Sequence, residues 1–459
     1  MCEFPSEEKQ HRPMARKISK EELRKHNRRE DLWLAVEGKV YDVTAWVDKH
    51  PGGELPLLNL AGQDISDIFV AYHPPEAWKY LAVYFIGRLE EGEEDLPAMT
   101  RDYRMLREEL HRAGMFRGSL DMYYRIVLSI FAMLSLVVYG VAYSGSVWAR
   151  MLSAVFLGLA WMQSSFIGHD SAHSGLLPNK KLEVAIQLLV GNMFTGISIG
   201  WWKRSHNVHH TSVNNLEYDP DLQYVPLYAV SSRFFQGLYS KYYEKPMNFD
   251  WLARFLVSYQ HWTFYPVMAV ARVLLYMHSF TLVFSPKKKV QYRRLEIAAL
   301  GVFWLWFPFL ISCVPTWTER VAFVLVCFAV SGIQHVQFCL NHFSSSVFVG
   351  RPRSENWFPE QIAGTLDITC SPWMDWFHGG LQFQVEHHCF PRVPRTNLRK
   401  LRDYVKPLCE KHGLPYRSAT FWEANVMMIH TLRTAAMEAR DLSKPVPTCL
   451  LWEAVNTHG

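Results

Sequence analysis

Apolar residues fall in long blocks separated by polar stretches, and the blocks set the plan of the chain. Residues 126–143 form an uncharged apolar run of 18 residues, near the minimum for a helix that crosses a bilayer. A short loop at 144–150 leads into a second run at 151–167, and the two predict a helical hairpin. Residues 297–314 and 321–340 repeat the arrangement around a 315–320 loop. Between the hairpins, 184–199 is apolar but broken by Gly191, Asn192 and Gly196, with Gly200 just beyond, and so predicts a half-buried or interfacial segment. The aromatic stretch 255–284 is ambiguous in the same way. Upstream of these blocks the pattern changes. Ser19 stands three residues before Glu22, a capping-box spacing that opens a short helix through His26. Residues 32–36 and 39–43 read as two strands around Glu37-Gly38, followed by a helical stretch at 57–72.

Composition sharpens this plan. A chain of 459 residues exceeds one small domain, and an apolar share of 49% beside 20% charged residues fits membrane spans set among polar loops. The net charge of +5 is spread out, without the dense basic tract of a nucleic-acid binder, so no nucleic-acid partner is expected. The eight cysteines, Cys2 and Cys449 among them, show no C-x-x-C spacing, which argues for a reducing compartment and against a disulfide framework or zinc ribbon. Residues 1–20 lack the apolar core of a secretory signal. The acidic stretch at 90–97 reads as a solvated hinge. The expected division is a polar tail at 1–17, a mixed α/β module at 18–89, a connector at 90–120 and a membrane domain at 121–459. Lys180, Lys181, Lys203, Arg204 and Lys287-Lys288-Lys289 lie in the long loop between hairpins, against Arg150 and Arg320 alone in the short loops. That asymmetry puts both termini and the long loop in the cytosol.

Three histidine clusters then share one face of the membrane. His169 and His173 follow the second run as H-D-S-A-H, and on a continuing helix both would point the same way. His206, His209 and His210 form H-N-V-H-H. His387 and His388 end Q-V-E-H-H, inside F-H-G-G-L-Q-F-Q-V-E-H-H-C-F-P-R at 377–392, with Gln384 where a further histidine could stand. Seven imidazoles in this form could bind two iron ions, with Asp170, Asp219, Asp221 and Glu386 able to orient their ring nitrogens. His342, beside Asn341 at the end of the last run, and Gln384 are candidates to complete the ligand set, whereas His261 and His378 suit outer or surface roles. A hydrolytic zinc site is the rival, but zinc needs three or four protein ligands and no electron donor. Interfacial histidines near lipid headgroups are the bland alternative.

In the amino-terminal module, W-V-x-x-H-P-G-G at 46–53 and the later His73 before Pro74-Pro75 resemble cytochrome b5. The resemblance implies that His50 and His73 are the two axial ligands of a b-type haem, and that the module transfers single electrons. With the histidine boxes added, residues 18–459 resemble the cytochrome b5-fusion, or front-end, desaturases of plant type. The glutamine opening the third box, the stretches 201–220 and 377–392, and the carboxyl end 451–459 carry this likeness.

The family resemblance implies an α+β cytochrome b5-like domain fused to an all-α membrane domain, with about four transmembrane helices, interfacial helices and a cytosolic helical cap. It implies haem b and two non-haem iron ions as cofactors. The partners it implies are a lipid substrate, O2, the membrane and NADH-cytochrome b5 reductase, and the location is the endoplasmic reticulum membrane. The activity implied is desaturation of an unactivated methylene pair, whose strong C–H bonds call for O2 and electrons rather than acid, base or nucleophile. Stretches 258–268, 333–343 and 452–459 resemble sphingolipid long-chain-base Delta-8 desaturases, whereas 215–218 and 343–346 also resemble acyl-lipid Delta-6 enzymes. Trp201-Trp202 and the 373–376 segment are candidate walls of a lipid entrance, or plain interfacial aromatics. From other classes, a membrane electron carrier without desaturase chemistry and a lipid-binding receptor remain alternatives.

Overall fold

The computed structural model describes residues 16–90, 96–173, 176–177 and 179–440. Most of the polar tail, most of the acidic hinge, and the 451–459 and 452–459 resemblances lie outside the described residues. Ser19 caps the helix Lys20–Lys25, its hydroxyl accepting from the Glu22 amide at 3.1 Å. The five-stranded sheet runs, in spatial order, Lys17–Ile18, Phe85–Leu89, Lys39–Asp42, Asp31–Val36 and Asn27–Arg28; only the first pair is parallel. Strand Asp31–Val36 is buried on both faces. Its alternation sends Trp33 and Ala35 to a small cluster with Ile18 and Leu23, and Leu32, Leu34 and Val36 to the main core. The helical stretch expected at 57–72 is two helices, Leu55–Asn59 and Ser66–Tyr72. The chain between them hydrogen-bonds to the sheet instead, through Gly62 to Trp33 and Ala35 to Gln63.

Among the described residues four helices are long and apolar enough to cross a membrane: Leu120–Ala142, Val147–Ala172, Arg293–Ser312 and Trp317–His342. At about 1.5 Å per residue each spans roughly the 30 Å of a hydrocarbon core. The outer pair presents Leu128, Phe131, Leu305 and Phe309 outward, the side chains lipid would cover. Val147–Ala172 and Trp317–His342 pack at the centre and run parallel, since Arg150 near the start of one bonds Glu319 near the start of the other. Their histidine-bearing ends therefore emerge together.

The two ambiguous stretches are bent. Helical segment Lys180–Thr195 and helix Ile199–Thr211 meet at 108°, with Gly196 at φ +74° in the bend, a left-handed backbone that favours glycine. Helices Gln260–Val270 and Arg272–Val283 meet at 64°. Beyond the last span, short helices Trp357–Ala363 and Gln384–Cys389 and long ones Arg395–Lys411 and Phe421–Ala439 form a cap. Within the connector, helix Ala98–Arg112 buries Tyr103 and Leu110 in a core shared by the haem-type module and the cap.

Candidate metal centre

Each histidine box sits at a helix end that the bends and spans aim at one point. His169 lies in the last turn of Val147–Ala172 and His173 caps it, its amide bonding the His169 carbonyl at 3.3 Å. Helix Ile199–Thr211 brings His206, His209 and His210, all buried. Gln384, His387 and His388 ride on Gln384–Cys389, placed by Gly379 and Gly380 at φ +59° and +100°. A Cβ on Gly379 would lie 2.2 Å from the Phe166 ring, so that turn requires glycine.

The rings converge in two groups whose donor atoms lie within 4.8 Å of one another: His169, His173, His206 and His387, and separately His209, His342 and His388. His210 stands between them, its Nε2 2.9 Å from that of His206 and 3.2 Å from that of His387, its ring stacked on His388 at 4.3 Å. Gln384 completes the second group, its amide nitrogen 3.2 Å from the Nε2 atoms of His342 and His388. All the box histidines, His342 and Gln384 thus come together. His261 and His378 join neither group; His378 lies against Gln337 and Phe421.

Outward-facing contacts set the ring orientation. Nδ1 of His209 meets Asp219 at 2.8 Å, that of His388 the Gln361 side-chain oxygen at 2.8 Å, that of His342 the Gly364 carbonyl at 3.2 Å, and that of His169 Asp170 at 3.3 Å. With the proton held there, each Nε2 turns its lone pair inward. Asp170 is itself held by Tyr123 and Arg395, each at 2.8 Å. Asp221, 3.8 Å from His209, is too distant for a hydrogen bond. Glu386 corrects the expectation that it orients a ring, since Tyr416 bonds it at 2.7 Å and also bonds Asp367 at 2.7 Å. Burial and the facing Asp367 carboxylate push the Glu386 pKa well up. Gln361 and Gly364 had no readable signal, because each acts from a segment without a histidine motif.

The donor set suits metal ions that favour imidazole, iron among them. Burial and the surrounding imidazoles hold His387 and His388 well below the ordinary histidine pKa, so both are neutral donors. His169 Nε2 and Gln384 Oε1 are buried without a hydrogen-bond partner, and nitrogens approach nitrogens at the centre. Cations between these atoms would satisfy what the protein leaves open. Removing an outer partner should loosen the site: in Asp219→Ala, affinity for non-haem iron is expected to fall roughly 10–100-fold. Iron titration of the metal-depleted variant checks it, and unchanged affinity would show that Asp219 does not orient His209.

A second site lies in the amino-terminal module. His50 and His73 face each other, Nε2 to Nε2 at 3.5 Å, while their Nδ1 atoms meet the carbonyls of Gly53 at 2.7 Å and Phe69 at 2.9 Å. Burial and the facing His50 bring the His73 pKa down to about 4, and burial lowers that of His50 too, so two neutral rings stand with their Nε2 atoms opposed, a pair that could hold a haem between them. Beside His50, Glu54 takes a bidentate grip from Arg204 at 2.6 and 2.5 Å. Burial alone would raise the Glu54 pKa, but the guanidinium outweighs it and holds it at about 2. Trp202 stacks on His206 at 4.2 Å, so it is part of the centre's surroundings, whereas Trp373 is largely exposed.

Residues 146–420 match the family model described as fatty acid desaturase, and residues 19–90 that of the cytochrome b5-like heme/steroid binding domain. The chain is 53% identical to Delta(8)-fatty-acid desaturase 2 of Arabidopsis thaliana, covering 97% of this chain and 98% of the relative. It is 48% identical to the acyl-lipid (9-3)-desaturase of Borago officinalis, over 96% and 98%. It is 30% identical to the Delta 8-(E)-sphingolipid desaturase of Emericella nidulans, over 93% and 95%.

Proposed function

Because the chain belongs to the fatty acid desaturase family, with a cytochrome b5-like domain fused ahead of the desaturase domain, we propose that this lipid desaturase acts at the Delta-8 position of a sphingolipid long-chain base. The observation that carries the reading is the meeting of imidazoles from three distant segments at one buried point. Two iron ions bound there would supply O2 activation. In the overall reaction the two hydrogens lost by the methylenes combine with O2, two electrons and two protons to leave as two waters.

In this reading His169, His173, His206 and His387 hold one ion, His209, His342 and His388 the other, and His210 stands between, with Gln384 beside the second group. His50 and His73 hold haem b, and the fused module passes on electrons received from NADH-cytochrome b5 reductase. The surrounding side chains bury the donors and orient their rings. The protein is a multi-pass membrane protein. We place it in the endoplasmic reticulum on the family resemblance, with both termini and the helical cap cytosolic on the loop charges. The division at 18–89, 90–120 and 121–459 belongs to the same reading.

The Delta-8 names among the relatives favour the sphingolipid substrate, while the Borago acyl-lipid relative, at 48% identity, is what supports Delta-6 acyl desaturation as a second reading. Expression in yeast followed by lipid profiling separates them. Delta-8-unsaturated long-chain base is the expected product, together with one haem and two non-haem irons per chain. A Delta-6 fatty acid would replace the substrate assignment, and haem iron alone would reduce the chain to an electron carrier.

A further inference from the structure

The haem-type module sits on the desaturase domain through contacts that start beside its two facing histidines. Tyr72, next in sequence to His73, donates its hydroxyl to the main-chain carbonyl of His210 at 3.0 Å. The ring of His210 is the one between the two donor groups. The same carbonyl accepts from Trp357 Nε1 at 3.3 Å, and Trp357 lies edge-on to the Tyr72 ring at 6.0 Å, so both partners are fixed. Nearby, Arg392 donates to the His73 carbonyl at 3.0 Å, and Asn207 donates to the Gly52 carbonyl at 3.2 Å.

We propose that Tyr72 is a positioning residue for electron transfer, joining the haem site to the metal centre through its hydroxyl and the His210 carbonyl. The inference rests on the haem and di-iron reading above. Tunnelling decays less steeply through covalent and hydrogen bonds than across van der Waals gaps, so the path with fewest gaps carries most of the coupling. From His73 that path is one peptide link, the Tyr72 side chain, one hydrogen bond and His210 itself. The rival path leaves His50 through Pro51 and Gly52, crosses a longer hydrogen bond to Asn207, and reaches His206 by a further peptide link. In each transfer a ferrous haem is oxidised to ferric and one ferric ion of the centre is reduced to ferrous. Two transfers prepare one turnover, and the Tyr72 proton stays in place.

The test uses the full chain, loaded with haem and iron, as wild type, Tyr72→Phe and Asn207→Ala. Haem is reduced without oxygen, and its oxidation by the ferric centre is followed through its own absorbance. Tyr72→Phe is expected to slow this step severalfold, with haem potential and iron content unchanged. Desaturation driven by a small-molecule reductant that feeds the centre directly should be retained. An unaltered haem oxidation rate in Tyr72→Phe overturns the proposal, as does a loss confined to Asn207→Ala. Equal slowing of haem-driven and reductant-driven turnover would also overturn it, by showing damage to the centre. Failure of the functional reading is separate, since it would appear in the wild type as missing iron or missing product.

Discussion

His387→Ala is expected to abolish desaturation while leaving haem absorption per chain unchanged. His387 belongs to the first donor group with His169, His173 and His206, and its Nε2 is also 3.2 Å from that of His210. Its removal takes a neutral nitrogen from a buried position among the other imidazoles. The loss should exceed the roughly 10–100-fold that follows removal of an outer hydrogen-bond partner. Iron analysis should show non-haem iron reduced, and lipid profiling no unsaturated product. His50 and His73 make their ring contacts within their own module, so the haem signal should persist. Product at wild-type levels would remove His387 from the centre.

Much of this centre was legible because metal binding leaves a local imprint. His169 and His173 fall one helical turn apart at the end of an apolar run, and His206 with His210 repeat that spacing, so periodicity alone placed each pair on one face. The spans were legible for a similar reason, with ends that differ by a few residues because polar residues, Arg125, Arg150, Arg293 and Arg320 among them, extend each helix past its apolar centre. The 108° bend was signalled only as scattered glycines, since a bend angle depends on what both arms pack against. Outer contacts were least legible. Gln361 reaches His388 and the Gly364 carbonyl reaches His342 through tertiary packing, whereas Glu386, beside a histidine in sequence, turns away to Tyr416. Sequence adjacency alone does not settle that case: Asp170 meets the ring of its neighbour His169, whereas Glu386, beside His387, turns to Tyr416.

His50→Ala is expected to remove the haem and stop turnover with the metal centre intact, the mirror image of the first result. His50 and His73 oppose their Nε2 atoms at 3.5 Å, and the Gly53 carbonyl fixes the His50 ring. With one of the two facing imidazoles gone, a haem held between them would lose a protein ligand and be retained less well. The module should still dock, because Arg204 grips Glu54, Arg104 bonds Asp67 at 2.7 Å and Gln63 bonds the Pro352 carbonyl at 3.0 Å, none through His50. Non-haem iron should therefore remain at the wild-type level while haem absorption vanishes. Product formation should also vanish, because the chemistry consumes two electrons per double bond and their route into the chain is cut. Turnover at the wild-type rate without haem would mean that electrons reach the centre from outside the chain, and the fused module would then need another role.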